Sequence, residues 1–142
     1  MTNYTITQSR KGGRKRAQLS AQHDNAIIHR LLTDGIATQE TSRIISRELE
    51  AVKMSLKEWN NSSSIIERLD EMSAAEAVAL ADSADWLHES ARIDRMTNWH
   101  DEGKTAVMLS TQRWALVMHS VVRVVVALEA LRKSNYQRSV QS

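Results

Sequence analysis

Hydrophobic positions recur along this chain at intervals of three and four, and the longest such run lies near its C-terminal end. Between Lys104 and Lys133 the series Val107, Trp114, Val117, Val121, Val124, Leu128 and Leu131 advances by three or four over its last five steps, with Ser110 interrupting it earlier. The valines at 121, 122, 124, 125 and 126 would suit a strand in isolation. No Gly or Pro breaks these thirty residues, however, and good helix formers flank the valines on both sides. The spacing therefore predicts one long helix. Met118, Val122, Val125 and Val126 widen its apolar surface until Gln112, His119 and Arg123 are left as a narrow polar strip. Such a helix is expected to be covered nearly all round, by other helices of the same chain or by a second copy.

The same period returns upstream. Ser20 is read as the cap of a first helix, with Ile27, Ile28, Leu31 and Leu32 on one face and Asp34-Gly35 at its end, Gly35 taking the left-handed position. Thr38 is read as the cap of a second helix, which carries Ile45, Leu49, Val52, Leu56 and Trp59 at four-three spacing. The short turn between them predicts antiparallel neighbours. Two capping boxes follow, Ser64 to Glu67 and Ser73 to Glu76. The second opens an Ala-rich helix whose Ala77, Ala81, Ala84 and His88 share a stripe. Gly103 breaks the chain before the long helix. The fold expected is an all-α helical bundle of four to five helices, ending in the long, highly apolar C-terminal helix and preceded by a flexible basic N-terminal arm. Its parts are a disordered arm over 1–18, a single domain over 19–134 and a polar tail over 135–142. The second and last helices, both with coiled-coil-grade heptads, are expected to pair.

Composition narrows this further. The 142 residues contain no Cys and no Pro, which removes disulfides and thiolate metal sites and leaves little turn chemistry for a sheet. The polar start, with no apolar run after its cations, predicts a cytoplasmic chain without a secretory signal. His119, Arg123 and Glu129 within the most apolar window argue against a membrane span. The net charge of +2 hides a segregation. Residues 1–23 hold five cations and no acid, residues 24–102 hold eight cations against sixteen acids, and residues 103–142 hold six cations against Glu129.

Candidate chemistry concentrates in the first block. Arg10, Lys11, Arg14, Lys15 and Arg16 around Gly12-Gly13 can follow a phosphate backbone and release its counterions. The competing reading is a solubilising terminus, or an arm that docks on the acidic middle of its own or a neighbouring chain. A helix-turn-helix over residues 29–48 would present Thr38, Gln39, Thr41, Ser42 and Arg43 to a groove. Against it stand Glu48, Glu50 and Glu58, which phosphates repel, and a plain helical hairpin is preferred. Asp85 and His88 have metal-ligand spacing but lack the second motif that carboxylate-bridged sites need, so no metal or other cofactor is expected. No nucleophile elbow or cofactor loop appears, and no small-molecule substrate is identified. Trp59 and Trp114 lie on heptad seams, and of the four tryptophans Trp99 is expected to be exposed. Arg123, within the most apolar segment, must reach solvent, meet a carboxylate or line an interface between copies.

The function expected is that of a non-enzymatic nucleic-acid-binding accessory or regulatory protein, with DNA ahead of RNA. It would act as a homo-oligomer through the seam Trp114, Val117, Val121, Val124, Leu128 and Leu131, or use that seam as core. The alternative is a helical protein-protein interaction or assembly subunit that binds no nucleic acid.

Overall fold

The computed structural model describes the backbone of residues 2–60 and 62–141 and the side chains of residues 16, 18–60 and 62–135. The described residues form five helices and no strand: α1 (Thr2–Asp34), α2 (Gln39–Lys57), α3 (Ser63–Arg68), α4 (Ala74–Thr97) and α5 (Glu102–Gln141). The long apolar C-terminal helix is α5. The arm expected over residues 1–18 falls on residues whose side chains, Arg16 and Gln18 apart, lie outside the described ones. Ser20 is not a cap: α1 passes through it unbroken. Residues 18–23 are exposed there, so packing does not decide their conformation, and Gln18, Leu19, Ala21 and Gln22 are good helix formers.

Local signals set the boundaries of the other elements. Gly35 has φ 67°, and its N–H bonds the Leu31 carbonyl at 3.0 Å while Ile36 N reaches Arg30 O at 3.4 Å, a left-handed C-terminal cap. Thr38 caps α2: its hydroxyl accepts from Thr41 N at 3.3 Å, and its own N–H donates to Thr41 Oγ1 at 3.0 Å. Ser73 caps α4 by accepting from Glu76 N at 3.1 Å. Glu76 does not reach back to complete the box; its carboxylate pairs with Arg68. Ser64 is inside α3, which starts one residue earlier, after Ser62. Ser62 is 3% exposed and donates to the Leu56 and Trp59 carbonyls at 2.5 and 2.9 Å, closing the end of α2.

The core forms where α4, α2 and α1 meet α5. Contact with α4 is the most extensive, ahead of α2 and then α1, so the expected pairing of α2 with α5 exists but is second. The reason is side-chain size. Ala77, Ala81 and Ala84 are fully buried, and so short a stripe lets two helix backbones approach along their length, whereas the Ile, Val and Leu seam of α2 holds its axis farther off. Met118, Val121 and Val125 of α5 are 0% exposed, and Ala115 and Ala127 are also buried. From α2 come Ile45, Val52 and Leu56, with Leu31 from α1 and Leu69 and Met72 around α3. Trp59 and Trp114 pack with ring centroids 5.2 Å apart.

The stretch Glu102–Asn135 is long and apolar enough to cross a membrane by length and composition, with mean hydropathy 1.7 in its richest window. A bundle's core helix passes the same test, and in this fold Val121, Val124 and Val125 are buried by helices of the chain itself.

The small-residue contact leads to a direct test. Ala81→Leu, placed between α4 and α5, overpacks the closest helix pair and is expected to cost about 1–3 kcal/mol, read as a lowered urea midpoint. Ala79→Leu, on the exposed side of α4, should leave the midpoint within about 0.5 kcal/mol of the parent.

Candidate functional site

Of the five cations expected to hold phosphates, Arg16 has a described side chain, and it is exposed. Arg10, Lys11, Arg14 and Lys15 lie outside the described side chains. The seam residues are brought together within one chain. Val121 and Val124 are buried, and Trp114, Val117, Leu128 and Leu131 are half-buried against the intramolecular core. The would-be recognition segment is largely occupied with local structure: Thr38 and Thr41 form the cap, Thr41 is 1% exposed, and Arg43 pairs with Glu40 at 3.0 Å.

The basic end of α5 is likewise engaged. Arg132 donates to the Asp70 carbonyl and, at 3.4 Å, to that of Met72. Lys133 lies 3.8 Å from Glu129, whose other oxygen accepts from Ala74 N at 2.8 Å, at the start of α4. The Arg132 and Glu129 contacts fix α5 against the α3–α4 connection, while Lys133 stays exposed. At the opposite end of the pair Lys104 meets Asp94 at 2.8 Å, and in the middle His119 meets Asp85 at 2.9 Å and His88 meets Thr111 at 3.3 Å. Among the described residues no three His, Asp or Glu side chains are grouped to hold a metal ion, and Asp85 is turned to His119.

What sequence periodicity did not reveal is an open side of α5. Leu109, Leu116 and Arg123 follow one another by sevens and so share a face. Leu109 is 45% exposed and Leu116 63%. Over this strip the helices of the chain itself do not cover α5. Trp86 was likewise expected inside; it is 73% exposed, because it stands on the opposite side of α4 from Ala77, Ala81 and Ala84.

Arg123 is also where this strip enters a groove of 550 Å³ between α1, α2 and α5. Its floor and walls are apolar, from Ile28, Leu32, Val52, Val122, Val124 and Val126, and Asn25, His29, Glu48 and Arg123 add polar groups. Arg123 donates to Ser120 Oγ at 3.2 Å, one turn back on its own helix. Among the described residues neither Arg123 nor Glu48 has an ion-pair partner. The groove thus offers apolar surface with one unpaired cation and one unpaired anion. Arg123 was the signal in the sequence; Glu48 and His29 had none, since they belong to other helices.

Compared with models of protein families, with curated proteins and with solved structures, the chain matches none of them.

Several exposed carboxyls are held below the ordinary range by side chains hydrogen-bonded to them: Glu40 by His23, Glu89 by Arg92 and Asp94 by Lys104. The Asp94 contact is the one that ties α4 to α5. A carboxyl whose pKa is lower in the folded than in the unfolded chain adds stability above its unfolded pKa, and that contribution is lost as pH falls through the folded value. Urea midpoints compared at pH about 6 and about 3, either side of the ordinary Asp pKa of about 3.9, should therefore differ less in Asp94→Asn than in the parent. Lys104→Met should shrink the difference too, by less, because Asn98 still donates to the Asp94 carboxylate at 3.0 Å.

Proposed function

We propose that this chain is a non-enzymatic DNA-binding accessory or regulatory protein that acts as a homo-oligomer and holds phosphates through Arg10, Lys11, Arg14, Lys15 and Arg16. The observation that carries the reading is charge segregation: residues 1–23 contain five cations and no acid, while residues 24–102 carry twice as many acids as cations. An acid-free cluster attracts polyanions whatever its conformation, and the acidic body behind it turns phosphates toward the cluster. Phosphate contacts of this kind position a duplex without reading its sequence. Two or more such clusters on one assembly raise a weak grip to a useful one through effective concentration.

A second reading, an interaction or assembly subunit without nucleic-acid binding, is favoured by exposed apolar side chains on α4 and α5, Trp86 and Leu116 above all.

Fluorescence anisotropy of a labelled duplex separates the two. The parent chain should bind with log affinity falling linearly in log salt, at about −0.9 per phosphate contacted. Replacing the five cations with Gln should flatten that slope and remove most of the affinity at low salt. Absence of binding by the parent at low salt would leave the second reading standing.

A further inference from the structure

We propose that the open strip of α5 and the groove beside it form a homodimer interface, in which Arg123 of each copy meets Glu48 of the other. The inference rests on the homo-oligomer in the function proposed above and adds the surface and the contacts.

The occupant is argued from charge. One chain places a guanidinium and a carboxylate in the same apolar groove without pairing them: Glu48 is half-buried, and Arg123, though exposed, stands among Val122, Val124 and Val126 of the groove wall, so a partner that covers the groove takes water from both. An unpaired charge that loses water needs an opposite charge in return. A two-fold axis through the groove supplies both at once, because an isologous contact of residue 123 with residue 48 is made twice. A foreign partner would have to carry the same two charges in the same apolar frame. A second copy already does.

Shape and polarity agree. The strip that leads into the groove carries Leu109 and Leu116, exposed by about half, in line with Arg123. The apolar groups fill the groove and the two ion pairs set register and orientation. Because α1 forms one wall, the dimer also brings two α1 helices, and with them two basic N-terminal segments, into one assembly.

The charge pair allows a test that one chain alone cannot mimic. The full-length parent, in analytical ultracentrifugation, should sediment as a dimer. Arg123→Glu alone faces Glu48 of its partner, and Glu48→Arg alone faces Arg123, so each variant should raise the dimer Kd about 30-fold or more. Mixing the two variants makes both cross-pairs complementary, and the mixture should sediment as a heterodimer. Leu116→Lys, at a position already open to solvent, should weaken the dimer while leaving the helical content of the chain, read by far-UV circular dichroism, unchanged. A monomeric parent, single variants that remain dimeric, or a mixture that stays monomeric would each overturn the interface. DNA anisotropy on the same samples keeps the two readings apart: a monomeric parent that binds DNA refutes the interface and the homo-oligomer but leaves phosphate binding standing, and a dimer behaving as described without DNA binding refutes the DNA reading alone.

Discussion

The close contact between the alanine stripe of α4 and the middle of α5 is the constraint from which the rest of the arrangement follows. Ala77, Ala81 and Ala84 offer almost no side chain, so the two helices approach along several turns and bury Ala115, Met118 and Val125 against backbone and methyl groups. Dispersion gains of this kind are small per atom and grow with the length of the contact. Polar clamps hold the register. Glu129 accepts from Ala74 N and Arg132 donates to the Asp70 and Met72 carbonyls at one end, while Lys104 meets Asp94 at the other. With α4 fixed on one side, α1 and α2 have the remaining sides to cover. Ser134 bonds the Gly35 carbonyl at 2.9 Å, so the C-terminal part of α5 is tied to the α1–α2 turn, and the face carrying Leu109 and Leu116 is left open.

The local parts of this fold were legible because local physics decides them. Gly35 stops α1 since a glycine tolerates positive φ, Thr38 and Ser73 cap since their hydroxyls reach N–H groups three residues on, and the alanine stripe shows at helical spacing. Long-range choices were less legible. Heptad strength ranked α2 first as partner to α5, because a heptad rewards large apolar residues. Closeness is governed instead by small ones, and α4 has more of them. Periodicity also records which positions are apolar without recording whether a neighbour is present to cover them, and Val107 of the predicted series is exposed. Trp86 was misplaced for a related reason: its size suggests burial, but its phase on α4 sets it opposite the alanines.

The candidate site was half legible for the same reasons. Arg123 stood out because a cation within a valine-rich helix needs a counter-charge or water, and that need is visible in one dimension. Glu48 and His29 sit on acidic or mixed helix faces where such residues are ordinary. They become a site only when α1, α2 and α5 bring residues 25 to 126 around one groove. The seam on α5 was open to both a core and an interface reading, and the fold uses Val121 and Val124 as core. The strip left open is the next one round the same helix.

In the function and interface proposed here, α1 would have two tasks. One part walls the groove with Ile28 and Leu32, and the chain upstream carries the basic cluster. Linkage then requires reciprocity: if association of two copies favours phosphate binding by joining two clusters, phosphate binding must favour association by the same factor. The charge segregation shapes that coupling. Two basic segments joined in one dimer repel until a polyanion neutralises them, so DNA would remove a cost of association as well as gain an avidity from it. Salt would then act in two directions, screening the repulsion between clusters while competing for the phosphates, and the Arg123–Glu48 pairs, drier than either cluster, would respond to it least.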